Sequence, residues 1–336
     1  MAEVEWLPVP GSVDSLWWDG EDLVDLVRGG RRWCPDGTVR ETSVRWGHPF
    51  DRAVVSSSGR YAVVLVERGT KGIVVDLAGP TVVREIDRSY YHCADYDYPV
   101  ALGTLPDGRE VLVHCPEHYN ELQVEDLVTG QRLTEGVRRP EDSFHSRLAV
   151  SPDGRHLLVA GWVWHPLGTL QVHDLTAALA DPGALDADTV FHPFAGVDAE
   201  VGAACWLDGD RLAVATTAES LDWVEPPGGL GAAQLGVWSM SERRWLHRSG
   251  LDHPVGTLLA RGTQVVSLHG HPRLLDARTG TVLAQWPELR VPSKTGSYGV
   301  THVPTPVAAL SPDGTRLAVA QPDAVAVIRL PDRERP

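Results

Sequence analysis

The chain has 336 residues, of which 30 are Lys or Arg and 45 are Asp or Glu, so its formal net charge is −15. This balance argues against a nucleic-acid-binding protein, because neutralising phosphates requires a basic stripe and the lysines are Lys71 and Lys294 alone. The 43% of apolar residues is enough for a large core, and the 22% of charged residues is too low for general disorder. We therefore expect a folded protein.

The N-terminal segment Met1 to Pro10 lacks both the positive region and the apolar region of a secretory signal. No later stretch has the roughly 18 uncharged apolar residues that a membrane-spanning helix requires. We therefore expect a cytoplasmic protein with no membrane partner. The cysteines are scattered too widely for the disulfide framework of a small secreted domain, which predicts free thiols at Cys34, Cys93, Cys115 and Cys205.

A short pattern recurs seven times along the chain: a strand of small or branched residues, a tight turn that contains glycine, and a second strand. The turn glycines are Gly20, Gly59, Gly108, Gly154, Gly209, Gly262 and Gly314. They are spaced 39 to 55 residues apart, which fits a four-stranded propeller blade. In the Pro-Asp-Gly form of the turn, proline presets the first corner and glycine accommodates positive φ at the exit.

The rest of each unit supports the same interpretation. In most units a third strand ends in aspartate, at Asp76, Asp126, Asp174 and Asp276. These units resemble the blades of WD-repeat β-propellers over nearly the whole chain. In that family the strand before the Pro-Asp-Gly turn lies beside the central axis, where small residues fit, and Ala101, Gly103 and Ala149 agree with this. The family's terminal Trp-Asp is mostly absent, so the chain resembles a divergent member, and its preference for Arg over Lys suggests a bacterial one.

We therefore predict an all-β protein, a seven-bladed β-propeller of four-stranded antiparallel blades, with residues 1–336 forming one domain. The last unit shows three strands before the chain stops at Pro336. Its missing outer strand is predicted to be Val4 to Val9, so that the N-terminal strand closes the ring and leaves no open edge. We expect the propeller to be monomeric on its own.

The candidate functional residues lie in two long loops. Connections from strand d to the next strand a, and from strand b to strand c, open on one side of a propeller, which we call the top face. The largest departures from the repeat there are Gly161 to Gly168 in the fourth unit and Ala218 to Ala232 in the fifth. They supply the candidate partner-binding residues Trp162, Trp164, His165, Glu219, Asp222, Trp223 and Glu225. Either these loops bind a protein or peptide partner, or they pack their own tryptophans inward.

Histidine recurs in six connections between units, at His48, His92, His145, His192, His253 and His302. The resemblance to WD-repeat proteins implies that each one braces its loop by hydrogen bonding within its blade. Alternatively, the six imidazoles form a ring at the channel mouth that binds a metal or an anion or responds to pH near neutrality.

A weaker zinc alternative is confined to the third unit. Cys115 and His118 have a Cys-x-x-His spacing, and His92 with Cys93 enters the same blade on the same face. No second Cys-x-x-Cys strengthens this pattern, so we expect no metal and no other cofactor.

The functional prediction is a WD-repeat-like scaffold that binds a protein or peptide through its top-face loops. The sequence contains no Gly-x-Ser-x-Gly elbow and no Gly-x-x-x-x-Gly-Lys phosphate loop. A propeller hydrolase or lyase with a metal or histidine site in the central channel stays open as the alternative, because ligands contributed by several blades leave no signature in spacing.

Overall fold

The computed structural model describes residues 3–42, 46–163, 167–186, 189–191, 196–221, 228–293 and 303–333. Its strands form seven antiparallel sheets that are the blades of a β-propeller, together with one small hairpin. The predicted all-β, seven-bladed fold is therefore confirmed. In the described part of the chain, no helix has the length and apolar character needed to cross a membrane.

The strands run in chain order through the blades. Blade one contains β2 (Trp17–Asp19), β3 (Asp22–Asp25), β4 (Arg31–Trp33) and β5 (Val39–Arg40). Blade two contains β6 (Arg52–Val55), β7 (Tyr61–Leu65), β8 (Lys71–Asp76) and β9 (Thr81–Asp87). Blade three contains β10 (Val100–Thr104), β11 (Glu110–His114) and β12 (Gln123–Asp126). Blade four contains β13 (Leu148–Val150), β14 (His156–Val159), β17 (Gln171–Asp174) and β18 (Thr189–Phe191).

The remaining three blades each contain four strands. Blade five contains β19 (Ala199–Trp206), β20 (Arg211–Ser220), β21 (Gln234–Ser239) and β22 (Arg244–Gly250). Blade six contains β23 (Thr257–Arg261), β24 (Gln264–His269), β25 (His271–Asp276) and β26 (Val282–Gln285). Blade seven contains β27 (Ala308–Leu310), β28 (Arg316–Gln321), β29 (Ala324–Arg329) and β1 (Val4–Pro8). The hairpin is formed by β15 (Trp162–Val163) and β16 (Leu167–Gly168), between the second and third strands of blade four.

The ring closes where the sequence predicts. β1 pairs antiparallel with β29 from Val4 opposite Ile328 to Pro8 opposite Ala324, and the Val9 amide donates to the Asp323 carbonyl at 3.0 Å. The first strand of the chain is thus the outer strand of the last blade. This arrangement joins the two ends of the chain and covers an otherwise open edge.

The core is divided into clusters that lie between adjacent blades. One cluster joins blades three and four, another joins blades four and five, and a third joins blades seven and one. Indole groups tie neighbouring blades together: Trp18 Nε1 donates to the Ala309 carbonyl at 3.1 Å, and Trp206 Nε1 donates to the Ala149 carbonyl at 3.0 Å. Each blade is therefore stabilised by its neighbours, as expected for stacked repeats that cannot bury an apolar face alone.

Blade three departs from the regular pattern at its outer edge. In place of a fourth strand, Arg132 forms an isolated bridge with Glu125, and the Thr134 hydroxyl accepts the Val124 amide at 2.9 Å. Beside this edge lie α1 (Leu175–Ala180), capped by the Asp174 carboxylate, and a 3-10 turn (Pro182–Leu185). Their apolar residues join the cluster between blades three and four, and so compensate for the missing strand.

Six of the seven turn glycines have positive φ, as the sequence predicts. The exception is Gly209, which follows Asp208 in the turn between β19 and β20. There the Asp208 carboxylate accepts the amides of Asp210 and Arg211 at 2.9 and 2.7 Å. A side chain thus replaces the left-handed corner in this blade.

Two of these turns provide a matched test of close blade contact. We expect Gly154→Ala to lower the free energy of unfolding by about 3 kcal/mol, because a Cβ costs about 1–2 kcal/mol in the left-handed region and overpacking adds to it. Gly154 has φ +72°, and its added Cβ would lie 2.0 Å from the Thr104 carbonyl oxygen. Gly108 has φ +89°, and a Cβ added there would meet no neighbouring atom within 4 Å, so Gly108→Ala should cost only about 1 kcal/mol. Urea unfolding measures both, and equal losses would refute the blade contact.

Candidate partner-binding site on the top face

Four top-face segments bring a group of rings together over blades three and four. We call this group the aromatic cluster; it consists of Tyr91, His92, Tyr96, Tyr119, Phe144 and Trp162. Phe144 and Trp162 are stacked at 4.1 Å with an interplanar angle of 6°. Tyr119 lies 4.9 Å from Phe144, and Tyr91 lies 4.6 Å from Tyr119. The cluster therefore joins two connections between blades, a loop within blade three and a loop within blade four.

The base of the cluster is held by the backbone. The amides of Phe144 and Trp162 each donate to the other residue's carbonyl, at 2.9 and 3.0 Å. Gly161 permits this close approach, since a Cβ at that position would lie 2.2 Å from the Phe144 carbonyl oxygen. The stacked pair is thus fixed by an isolated antiparallel bridge between two segments that meet without an intervening side chain.

Exposure increases from the base of the cluster to its surface. Phe144, Tyr96 and Trp162 are buried, with exposed fractions of 2%, 3% and 7%. Tyr91 is 51% exposed, and the adjacent Tyr90 is 80% exposed. Trp162 therefore packs inward, and in this part of the described structure Tyr90 and Tyr91 carry the most exposed rings. These tyrosines are not among the partner-binding residues that the sequence predicts.

Arg88 holds the loop that presents the two tyrosines. Its side chain is almost fully buried and lies between two rings, 4.6 Å from the Tyr96 centroid and 4.9 Å from the Tyr98 centroid. The guanidinium donates to the carbonyls of Cys93, Gly69, Asp97 and Tyr96, at 2.6 to 3.1 Å. One cation thus satisfies the carbonyls of Cys93, Tyr96 and Asp97 in the loop between blades two and three, and its bond to Gly69 ties this loop to the turn between β7 and β8.

The other predicted partner-binding residues have different outcomes. Glu219 is exposed near the end of β20, and its amide donates to the Thr217 hydroxyl at 3.1 Å. The residues Trp164, His165, Asp222, Trp223 and Glu225 lie outside the described residues.

Comparisons with known proteins support the fold. No protein-family model matches the chain, and no curated protein matches it. A solved structure entitled "Crystal Structure of Mitotic Checkpoint Complex" contains a WD40 propeller with a TM-score of 0.63 and 17% identity. The match covers 98% of this chain and 91% of the other. The chain has a WD-repeat-like propeller fold. With 1319 matching chains and this low identity, the likeness shows the fold alone.

The four residues of the zinc alternative lie in different environments in this propeller. Cys115 is buried in the core between blades three and four, and this burial raises its pKa above the ordinary range. His118 is exposed, and His92 Nδ1 lies 2.8 Å from the Asp95 carboxylate. Among the described residues, no group of three or more His, Cys, Asp or Glu side chains could hold a metal ion.

The recurring histidines occupy different environments in this propeller. His145 is buried, with Nε2 3.0 Å from the Asn120 carbonyl oxygen, so it links the connection between blades three and four to the loop within blade three. His253 Nδ1 lies 2.6 Å from Asp252, and His48 contacts the Phe50 ring. His192 and His302 lie outside the described residues.

Buried histidines make the propeller sensitive to acid. Burial, and then neighbouring His173, lowers the pKa of His145 from 6.5 to about 3, and burial lowers that of His173 to about 4. In the unfolded chain, both histidines bind a proton once the pH falls below their ordinary pKa of about 6.5, whereas in the folded chain they stay neutral until a lower pH. With respect to these two histidines, the propeller is therefore most stable above about pH 6.5, and its free energy of unfolding decreases as the pH falls below that value. We expect at most about 1.4 kcal/mol per pH unit from each histidine.

Urea unfolding between pH 7 and 5 checks this expectation, with His145→Gln as the test and exposed His118→Gln as the control. His145→Gln should reduce the slope of stability against pH, and the control should retain it. Identical slopes in both variants would contradict the assignment.

Charged side chains line the inner ends of the blades on the top face. Arg52 donates to the Glu67 carboxylate at 2.8 Å and to the Thr305 hydroxyl at 2.6 Å. Arg147 has a φ of +46° and donates to carbonyls of Ala160 and Gly202, so it bridges blades four and five. Burial, and then Glu67, raises the pKa of Asp97 to about 6. The folded state therefore binds a proton on Asp97 more tightly than the unfolded state does. As the pH falls, Asp97 raises the free energy of unfolding, whereas the histidines lower it.

Proposed function

We propose that this propeller is a scaffold that binds a protein or peptide partner through the top-face loops of blades three to five. The observation that carries the proposal is exposed Tyr91 on a buried aromatic base, with exposed Tyr90 next to it in the chain. Tyrosine provides a large amphipathic contact area with few rotatable bonds, and such residues dominate binding energy when their base is rigid. Arg88 supplies this rigidity from below, because it fixes the backbone of the same loop.

The proposed surface extends to the neighbouring loops that the sequence singles out. It includes exposed Glu219 and, beyond the described residues, Trp164, His165, Asp222, Trp223 and Glu225. Trp162 takes part as the base of the cluster. The similar solved propeller is a component of a protein complex, which is consistent with a protein-binding role for this fold.

Site-specific crosslinking in the native host tests the proposal. A photo-crosslinking phenylalanine analogue replaces Tyr90 in one variant and Trp6, which is 50% exposed on blade seven, in a matched control. The expected result is a discrete adduct to one protein from the Tyr90 position, and none from the Trp6 position. The adduct should disappear when Tyr91→Ala is added. Adducts of equal yield from both positions, or none from either, would refute a top-face site over blades three and four.

A further inference from the structure

The exposed side of the aromatic cluster carries carboxylates as well as rings. Asp95 Oδ2 lies 2.8 Å from His92 Nδ1, and Asp142 Oδ1 accepts the Tyr119 hydroxyl at 2.5 Å. This hydrogen bond, together with burial, raises the pKa of Tyr119 to about 12, so Tyr119 stays a neutral donor. Both aspartates are exposed. Among the described residues, Asp95 Oδ1 and Asp142 Oδ2 have no hydrogen bond, so each of these two oxygens can accept one from a ligand.

The geometry of the rings favours a flat ligand. Tyr91 and Phe144 are nearly parallel, with an interplanar angle of 6°, and Tyr91 contacts Tyr119 directly at 4.6 Å. The His92 ring meets Tyr91 edge-on at 4.5 Å, and Tyr91 stays 51% exposed, so the rings form a packed platform whose accessible part is Tyr91. A planar group can stack on Tyr91 while its edge faces a carboxylate.

Guanidinium is the group that combines these properties. It is planar, always charged, stacks on aromatic faces, and donates in a fork that matches a carboxylate. The molecule already contains the first of these contacts, since the Arg88 guanidinium lies over Tyr96 and Tyr98 beneath the cluster. The net charge of −15 further favours a basic ligand over an acidic one.

We propose that the aromatic cluster binds an arginine side chain of a peptide segment in the partner. The guanidinium stacks on Tyr91, with Tyr90 beside it, and donates to Asp95 or Asp142. This inference rests on the proposed peptide-binding function and adds the chemistry of the ligand. Arg139, exposed on the loop that carries Asp142, is a cation that opposes binding; Arg132 is already paired with Glu117 at 2.6 Å.

Titration calorimetry with short capped peptides tests the arginine site. Three peptides share a Gly and Ser backbone and carry two arginines, two lysines or two citrullines. We expect the arginine peptide to bind about ten-fold tighter than the citrulline peptide and several-fold tighter than the lysine peptide, because only arginine combines charge with a planar fork. Binding should weaken with added salt.

Variants assign the contact to the cluster. Tyr91→Ala, and Asp95→Asn with Asp142→Asn, should each weaken arginine-peptide binding about five-fold or more. Arg139→Ala should strengthen it. Asp252→Asn is the matched control, because Asp252 is another exposed carboxylate bonded to a histidine, in the loop between blades five and six, and it should leave affinity unchanged. Thermal melts verify that each variant is folded.

The inference is wrong if the arginine and citrulline peptides bind equally, if lysine matches arginine, or if none of the three binds. It is also wrong if Asp252→Asn weakens binding as much as the cluster variants. The proposed function fails separately, when crosslinking from the Tyr90 position yields no partner. A crosslinked partner whose binding is insensitive to salt and to the aspartate variants would retain the scaffold function and overturn the arginine site.

Discussion

Deletion of Met1 to Pro10 should lower the melting temperature by about 10 °C, because a strand that contributes on the order of 5 kcal/mol is removed, and 1 kcal/mol shifts the melting temperature by about 2 °C in a large chain. β1 forms five paired positions with β29, and buried Val9 packs between blades seven and one. Deletion exposes these contacts and the backbone edge of β29 together.

A shorter deletion is the control for this experiment. Removal of Met1 and Ala2 keeps Glu3, whose carbonyl accepts the Arg329 amide at 3.0 Å, and should leave the melting temperature within about 2 °C of the full chain. A synthetic peptide of residues 1–10, added in excess to the long deletion, should restore part of the loss by pairing with the open edge. An unchanged melt after the long deletion would overturn ring closure by the N-terminal strand.

The architecture could be predicted because it repeats. Each blade reuses a glycine turn, so the spacing of Gly108, Gly154 and Gly314 revealed the period without any long-range contact. The incomplete seventh unit then implied the closing strand. The irregular edge of blade three was not predicted, because the Thr129-Gly130 turn after the third strand is typical of a hairpin that leads into a regular fourth strand. There the Thr134 hydroxyl takes the Val124 amide and replaces a ladder hydrogen bond.

The candidate site was only partly accessible from sequence. The sequence singles out these loops because they are the largest departures from the repeat and contain tryptophans, yet a tryptophan's position along the chain does not reveal whether its ring faces solvent. Trp162 is buried because Phe144, from the connection between blades three and four, stacks on it. A usable signal was present in the sequence: Tyr90 and Tyr91 lie just before His92 in a top-face connection. Contacts between loops of different blades depend on how the blades are placed around the propeller, and the spacing of the sequence repeat does not specify this.

The largest single-residue effect is expected at Arg88. Arg88→Met should lower the free energy of unfolding by about 3–5 kcal/mol, since an unpaired buried acceptor costs about 1–3 kcal/mol and several carbonyls lose their donor together. The methionine retains apolar contact with Tyr96 and Tyr98 and supplies no hydrogen bond. Release of the loop should also increase chymotrypsin cleavage at Tyr90 and Tyr91 under native conditions, which a general loss of stability elsewhere in the propeller would not localise.

Arg60→Met is the matched control for Arg88→Met, because it also removes an arginine that lies over a tyrosine ring. Arg60 lies 5.4 Å from the Tyr61 ring and bonds to Asp76, but its side chain is 55% exposed, so solvent replaces its contacts and the melting temperature should barely change. If both variants melt alike and native cleavage at the tyrosines is unchanged, Arg88 does not anchor the loop. If Arg88→Met alone is destabilised and cleaved there, the guanidinium is what holds Tyr90 and Tyr91 in position on the top face.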